Sequence, residues 1–431
     1  MRLDYPRICL SVLLGLAACR SPEPAPTAEP APRSSRLQRL VFEDPGGQGP
    51  ADTKIRSLQA SVKRHPKKVD SWILLGRAFV QKARQASEPG FYNNANACAR
   101  HALDLRPNYS LALDLQAMVL MNQHRFGEAR ALTERVLKTQ PDDMLALGTL
   151  ADAALELGEA AVALKAVEHM SGLKPSLPTY ARVAHLRWLH GDIAGAKAAY
   201  ALAMDCGRGA KDLEPLAWVI SEAAQVFLKE GDLEGAQAGF QRALNAFPGY
   251  PAAERGLGQV AMAEGRWHDA ADHLQQSFER GALAETAWLW FEAASKAGRT
   301  KQARVAQDKA IKLGRHGEGR VLAAMFATQG RGLGEAADKI EGELKTRGDH
   351  LTHGIHGFVR YRQGDLRSAR AALDEALKLG TPEPWLWAQD GLLKLAEGDA
   401  EGAKSRLRQA LAAKGALPPS VTAELQSALD S

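Results

Sequence analysis

Three regularly spaced histidines are the part of the sequence whose residue types best suit metal chemistry. His350, His353 and His356 recur at every third position, and on a helix this spacing brings two imidazoles within reach of one metal ion. A metal-binding protein, or a metal-assisted enzyme using His350–His356, is therefore one hypothesis. We favour the alternative, that these histidines lie in or beside the core, because His353 and His356 fall in a segment expected to pack between helices. No metal site is predicted.

Other signals of catalysis are absent from the sequence. Its 431 residues contain no P-loop, no G-x-S-x-G elbow and no H-E-x-x-H motif. Lys and Arg number 55 and Asp and Glu number 50, so the net charge of +5 argues against a nucleic-acid binder. We expect a non-enzymatic protein without a cofactor. With 45% hydrophobic, 24% charged and only 6% aromatic residues, the composition favours a globular all-helical chain.

The N-terminus indicates a different chemistry, the covalent attachment of lipid. A basic start is followed by a short apolar run, Ile8–Leu16, and then by Ala17-Ala18-Cys19. The run is too short to span about 30 Å of hydrocarbon as a helix, so it is interpreted as a removable signal. The segment Leu16–Cys19 resembles the lipobox of bacterial lipoproteins, in which the cysteine is acylated and becomes the mature N-terminus. An ordinary secretory signal cleaved after an alanine is the alternative.

A proline-rich segment follows the cysteine. Five of the sixteen residues from Arg20 to Ser35 are proline, which predicts an extended spacer between the membrane and a folded body. The remaining cysteines, Cys98 and Cys206, form no CxxC motif, and we expect them to be core or helix-end residues. Arg20, in place of an aspartate, favours the outer membrane if the lipoprotein resemblance holds.

Alanine recurs through the rest of the chain at intervals of about 34 residues. A glycine stands five residues before the alanine in eight of ten cases. Apolar residues with helical spacing lie on both sides of the glycine, so each interval predicts a pair of helices. The alanine column consists of Ala95, Ala129, Ala163, Ala196, Ala236, Ala270, Ala303, Ala336, Ala369 and Ala403.

Each position in this repeat has a physical reason. The glycine closes the first helix in a left-handed turn. The alanine lets the two helices approach closely, because a larger side chain would force them apart. A proline twelve residues after the alanine ends the second helix. These prolines are Pro107, Pro141, Pro175 and Pro248.

The pattern resembles the tetratricopeptide repeat family. The first repeat matches that family after a seven-residue insertion around Glu88 to Asn94, and the match weakens from Ala270 onward. The resemblance implies an all-α fold, an α-solenoid superhelix of about ten helix pairs with a C-terminal capping helix. The matching residues of the first repeat are Trp72, Leu75, Gly76, Phe79, Ala95, Ala99, Ala102 and Pro107.

Four segments are predicted from these features. Val421, Leu425 and Leu429 recur at helical spacing after two prolines, which indicates the amphipathic capping helix that a solenoid needs. The segments are a lipoprotein signal peptide over 1–18, the lipidated Cys19 and its tether over 19–50, the solenoid over 51–415 with a break near 204–216, and the capping helix over 416–431.

The first helix of each pair lines the concave face in repeats of this family, which is expected to bind a peptide or helix of a protein partner. The alternative is that the superhelix packs some of these residues against its own neighbours. Trp288, Trp290, Trp385 and Trp387 are expected in the core. The predicted groove residues are Met118, Met121, Asp152, Trp188, Gln225, Gln259, Met262, Met325, Phe358 and Tyr361.

The sequence thus predicts a lipid-anchored scaffold or adaptor in the bacterial envelope, on the periplasmic side of the outer membrane. Similar repeat lipoproteins serve as pilotins for the secretins of type IV pili, in exopolysaccharide export or in gliding motility. Which of these roles applies rests on fold-level analogy. The partner is not identified by these residues.

Overall fold

The computed structural model describes residues 39–430, and its regular secondary structure in that range is helical, without strands. The predicted signal peptide, Cys19 and most of the spacer lie outside the described residues. None of the helices of residues 39–430 is long and apolar enough to cross a membrane.

Between Pro50 and Asp430 the chain forms 22 α-helices and one short 3-10 turn, Lys414–Ala416. The helices are α1 Pro50–Arg64, α2 Val69–Ala86, α3 Phe91–Leu105, α4 Ser110–Asn122, α5 Phe126–Thr139, α6 Met144–Glu156, α7 Ala160–Leu173, α8 Leu177–Leu189, α9 Ile193–Gly207, α10 Glu214–Glu230, α11 Leu233–Ala246, α12 Pro251–Ala263, α13 Trp267–Arg280, α14 Ala284–Lys296, α15 Thr300–His316, α16 Gly319–Gln329, α17 Leu333–Leu344, α18 His350–Arg362, α19 Leu366–Leu377, α20 Pro384–Ala396, α21 Ala400–Ala412 and α22 Pro419–Asp430.

Helices α2 to α21 form ten consecutive pairs, which we number as repeats 1 to 10, and each pair packs on the next. The alanine column stands in the second helix of each pair, and none of its members is more than 6% exposed. The predicted α-solenoid is therefore confirmed, and the alanines lie where the two helices of a pair approach closely.

Seven of the eight glycines predicted to close a first helix take the left-handed conformation. Gly158 and Gly398 have φ values of 79° and 87°, and His124 takes the same left-handed conformation at φ 57°. In repeat 1 the expectation was wrong, because Gly90 is right-handed at φ −54° and Ser87 is the left-handed residue at φ 53°. The insertion there extends α2 to 18 residues.

The predicted prolines do end second helices. Helices α3, α5, α7 and α11 each stop two residues before their proline, since a proline inside the helix would remove a hydrogen bond. The two cysteines of the described residues fit their expected places, with Cys98 buried in repeat 1 and Cys206 exposed at the end of α9.

Residues 39–50 were assigned to the spacer, and the structure instead packs them on repeat 1. Val41 is 2% exposed within the core of that repeat. Gln59 on α1 donates from Nε2 to the carbonyls of Val41 (2.9 Å) and Glu43 (2.8 Å). Asn94 donates to the carbonyl of Leu40 at 2.8 Å. Burial of Val41 and these side-chain bonds give the segment a fixed path.

Successive turns of the superhelix touch each other along a seam. Thr381 Oγ1 donates to the carbonyl of Leu189, 192 residues earlier, at 2.8 Å, and the Gly348 amide donates to the carbonyl of Glu156 at 2.9 Å. At about 34 residues a repeat, 192 residues is between five and six repeats. The loops between the two helices of repeats 3, 4 and 5 therefore contact three later segments of the chain. These segments lie before repeat 9, between repeats 9 and 10, and at the end of repeat 10.

Candidate partner-binding surface

The predicted groove residues of the first five repeats are partly covered and partly paired with their neighbours. Met118, Met121, Asp152 and Gln225 are half-buried. Asp152 accepts two hydrogen bonds from Arg182, at 2.9 Å from Nε and 2.5 Å from Nη2. The amide of Gln225 donates to that of Gln259 in the next repeat at 3.2 Å.

Trp188 is covered by the later turn of the superhelix and is 6% exposed. Lys229 Nζ stands 4.1 Å from the centre of its ring, and the ring of His350 is 6.1 Å away, edge on. Lys229 also forms an ion pair with Glu383 at 2.8 Å. Trp188 therefore lies between repeats 4, 5 and 9 rather than on an open face.

The predicted groove residues of repeats 6 to 9 lie deeper. Gln259 and Met262 are 9% and 6% exposed, while Met325 and Phe358 are 1% and 2% exposed within a large apolar core. Tyr361 is half-buried against the same core. The expectation that these side chains present an open surface is corrected for Trp188, Gln259, Met262, Met325 and Phe358, because the tight superhelix packs them against its own chain.

The aromatic pairs behave as expected for core residues. Trp288 and Trp290 are buried at 5% and 4% exposure, and Trp385 and Trp387 are half-buried against the same core.

Part of the concave face of repeats 6 to 10 is occupied by α22. Val421 and Leu425 are buried, at 1% and 0% exposed, in the apolar core that also contains Met262 and Phe358. α22 contacts α14, α20 and α21. The amphipathic helix predicted as a cap is confirmed, and its position extends across the groove as far as repeat 7.

Glu292 on α14 holds the first turn of α22. Its carboxylate accepts hydrogen bonds from the backbone N–H of Ser420 (2.8 Å), from Ser420 Oγ (2.6 Å) and from Trp288 Nε1 (2.9 Å). The amide groups of the first turn of a helix lack partners within the helix, and a carboxylate also interacts favourably with that end of its dipole. Burial raises the pKa of Glu292, and the bonds from Ser420 and Trp288 oppose that rise.

A second polar contact fixes the other flank of α22. Glu424 forms an ion pair with Arg362 on α18, whose guanidinium lies 4.7 Å from the Phe358 ring. Beside α22, an open cleft of about 540 Å³ is lined by residues that include Met262, Trp267 and Lys296. α22 therefore fills only part of the groove.

Glu292 falls at a concave position that the register of the first helices predicts, whereas Arg362 and Ser420 were not predicted as site residues. Glu292 stands eleven residues before its column alanine, in the same register as Trp188's neighbour His185 and the other concave positions, so its register was a usable signal. Arg362 and Ser420 carried no such signal, because their roles depend on where α22 lies.

The three histidines of the alternative hypothesis do not converge. His350 lies beside Trp188 in a cavity of about 230 Å³ that it shares with His185 and Glu156. His356 Nε2 accepts from Arg360 at 3.3 Å. Residues 39–430 hold no group of three potential ligands placed to bind a metal.

Burial shifts the pKa values of three ionisable groups that line the cavity between the turns. Burial lowers the pKa of His185 to about 4, helped by the nearby His350 and Lys229. Burial also lowers the pKa of His350 and raises that of Glu156. All three shifts favour the neutral form of the group, as expected for a site shielded from water.

Two segments of the chain match models of a known repeat family. Residues 115–175 and 227–288 match two family models, each described as a tetratricopeptide repeat. The first spans repeats 2 and 3 of the solenoid, and the second runs from the end of α10 into α14. No curated protein matches the sequence.

Solved structures with similar helical repeats include three proteins. PilW, a widely conserved type IV pilus biogenesis factor, is 20% identical, with 47% of this chain and 92% of PilW covered at a TM-score of 0.39. MamA is 16% identical, with 40% and 91% covered at 0.30. A human IFIT1 dimer with m7Gppp-AAAA is 15% identical, with 88% and 94% covered at 0.48. These likenesses concern the fold alone.

Proposed function

We propose that this protein is a non-catalytic scaffold that binds protein partners through its tetratricopeptide-repeat superhelix. The observation that carries the proposal is the position of α22, because the concave face of repeats 6 to 10 already accommodates an amphipathic helix. Helix-in-groove recognition uses such a face. Met118 and Met121 in repeat 2 are half-buried on the same face. Their flexible, polarisable side chains suit a second contact with a partner.

We further propose that the scaffold is anchored by lipid on Cys19 to the periplasmic face of a bacterial outer membrane. The support is the resemblance of Leu16–Cys19 to a lipobox, followed by a proline-rich spacer. An anchor raises the local concentration of the scaffold near membrane-bound partners. Assembly of an envelope machine, such as a pilus, an exopolysaccharide exporter or a gliding apparatus, is the setting that repeat lipoproteins of this kind suggest.

The anchor has a direct test in cells that express the full chain. Wild-type protein is expected to incorporate radiolabelled fatty acid and to fractionate with membranes, and Cys19→Ser is expected to lose the label and to remain as unprocessed precursor. A Cys19→Ser protein that is cleaved normally and released as a soluble product would overturn the anchor and favour an ordinary secretory signal.

The scaffold role is tested by site-specific photo-crosslinking in membranes. A photoreactive residue at Met121, half-buried on the first helix of repeat 2, is expected to capture defined proteins. The matched control places the same residue at Lys165, exposed on the second helix of repeat 3. Capture that is equal at both positions, or absent at both, would count against partner binding through the concave face.

A further inference from the structure

α22 has few buried contacts for a helix that lies in the centre of a groove. Val421 and Leu425 are its only buried residues within Pro419–Asp430, and the open cleft leaves one side of it unpacked. A helix of 12 residues is only marginally stable by itself. Its place in the groove therefore depends on a small set of contacts, each of which another helix can reproduce.

The carboxylate of Glu292 is positioned to accept hydrogen bonds from the first turn of a helix. Trp288 Nε1 donates to Oε1 from within α14, which fixes the orientation of a side chain that is 7% exposed. The Ser420 hydroxyl donates to the same oxygen, Oε1, and the Ser420 amide donates to Oε2. The amide contact is available from the first turn of any helix, and the hydroxyl contact requires serine or threonine at that position.

Two further features of the groove determine which residue pattern a helix needs in order to bind there. Arg362, held over the Phe358 ring, pairs with an acid four residues after the serine, which in α22 is Glu424. The apolar core receives side chains one and five residues after the serine, which are Val421 and Leu425. The spacing places all four groups on adjoining faces of one helix.

We propose that this groove binds an amphipathic helix of a protein partner with the pattern hydroxyl, apolar, two free positions, acid, apolar, and that α22 is an internal competitor for the site. The inference rests on the proposed scaffold function and names its partner class. Binding of the partner displaces α22, so the apparent affinity is reduced by the fraction of molecules in which α22 is docked.

The test uses a fluorescent peptide that copies residues 418–431 and measures its binding to the full chain by polarisation. Leu425→Asp in the protein places a charge in the core and is expected to release α22. Peptide affinity is then expected to rise at least about tenfold over the wild type, because the tethered competitor is removed. The matched control, Ser427→Asp, adds the same charge to an exposed position of α22 and is expected to leave the affinity unchanged.

Specificity is tested in the released variant. Glu292→Gln keeps the size of the side chain but removes its charge, and is expected to weaken peptide binding about fivefold to tenfold. Arg362→Glu is expected to weaken binding of the native peptide, and a peptide with Glu424→Arg is expected to restore it. A peptide with Leu425→Asp is expected not to bind.

Each result of these measurements decides the inference. Equal peptide affinity in wild type and Leu425→Asp, both with native helical circular dichroism, would overturn it, as would failure of the charge exchange. If Leu425→Asp fails to fold, Ser420→Ala replaces it, with a smaller rise of about threefold expected and no rise counting against the inference. A domain-swapped dimer in Leu425→Asp or Ser420→Ala would also overturn it, since the occupant would then be a second copy.

The experiments distinguish a failure of the α22 inference from a failure of the proposed scaffold role. If crosslinking captures partners at Met121 but the peptide never binds, the scaffold stands and the α22 inference falls. If the peptide binds as expected but no partner is captured from membranes, the groove chemistry stands and the scaffold role falls.

Discussion

Asp114 and Glu292 are buried carboxylates on first helices of the solenoid, and the two differ in their surroundings. Asp114 on α4 is 1% exposed, and neither of its oxygens has a hydrogen-bond partner. Glu292 on α14 is 7% exposed and accepts three hydrogen bonds, two of them from Ser420, 128 residues later. Repeat 2 buries Asp114 without a hydrogen-bond partner, whereas α22 supplies two of the three donors to Glu292.

Contacts between residues far apart in the sequence also differ between the two halves of the chain. In the first half, Asp212, just before α10, accepts from the amides of Gln81 and Gln85 on α2. That contact joins two segments that each continue into solenoid helices on both sides. In the described residues α22 is connected along the chain to the solenoid only through Lys414–Pro418. We therefore expect that it leaves the groove while the repeats stay folded.

The largest expected effect comes from core leucines in the two regions. Leu115 on α4 is 1% exposed and Leu425 on α22 is 0% exposed, so truncation of either to alanine is expected to remove about 3 kcal/mol of local stability. Leu115→Ala is expected to lower the free energy of global unfolding. Leu425→Ala is expected to lower only the hydrogen-exchange protection of α22. If Leu425→Ala lowers global stability as much as Leu115→Ala, α22 is an integral part of the solenoid.

The seam between turns gives the next largest effect. A Cβ atom on Gly158 would lie 2.4 Å from the carbonyl oxygen of Gly348, at a φ of 79°. Gly158→Ala is expected to lose about 3 kcal/mol of unfolding free energy in urea titrations. The matched control is Gly298→Ala, at φ 72° with open space around its Cβ, which is expected to lose about 1 kcal/mol from backbone strain alone. Equal losses would mean that the seam does not hold in solution.

The unpartnered carboxylate predicts a dependence on pH. Burial raises the pKa of Asp114 to about 7, with Asp143 adding repulsion and Arg77 opposing it. The folded chain therefore binds more protons at this group than the unfolded chain between pH 4 and 7, and the stability contributed by Asp114 falls as the pH rises through 7. Asp114→Asn is expected to stabilise the protein by about 2 kcal/mol at pH 8.5.

The gain from Asp114→Asn is expected to shrink at pH 5, where the aspartic acid is already protonated in the folded chain. Urea unfolding of both proteins at pH 5 and 8.5 measures this difference. A gain that is the same at both pH values would show that Asp114 is not a buried charge.

The smallest expected effect tests the partnered carboxylate. Ser420→Ala removes one of the three hydrogen bonds to Glu292 and is expected to lower the hydrogen-exchange protection of α22 by about 1 kcal/mol. Thr422→Ala serves as the control, because the Thr422 hydroxyl donates only to the Pro418 carbonyl of its own turn, at 3.3 Å. Loss of protection that is no larger in Ser420→Ala than in Thr422→Ala would show that Glu292 does not hold α22.

Most of the fold could be predicted from the sequence, because its pattern is local and periodic. The alanine column, the glycine turns and the proline stops reflect contacts within one repeat or between adjacent repeats. The misplaced turn at Gly90 has a local cause as well, because the insertion extends α2 past the expected turn and Ser87 takes the left-handed conformation. Val41 was assigned to the spacer because the short apolar run Leu40–Phe42 is too short to show periodicity.

The candidate site was predicted less completely. The register of the first helices placed Met118, Met121 and Asp152 on the concave side, where they remain half-buried. The same register placed Trp188, Met325 and Phe358 there, and the structure buries them. Register alone does not distinguish these outcomes, because exposure on a concave face depends on how tightly the superhelix closes.

The sequence by itself determined a solenoid of ten helix pairs and a final amphipathic helix, since each of these depends on residues no more than about one repeat apart. Tertiary structure alone decided that Leu189 meets Thr381 across 192 residues and that Ser420 meets Glu292 across 128. The physical reason is that a superhelix accumulates small rotations from one repeat to the next. The pitch of the superhelix brings distant repeats together and places α22 in the groove. This pitch is the sum of small rotations at many interfaces, so no single interface determines it.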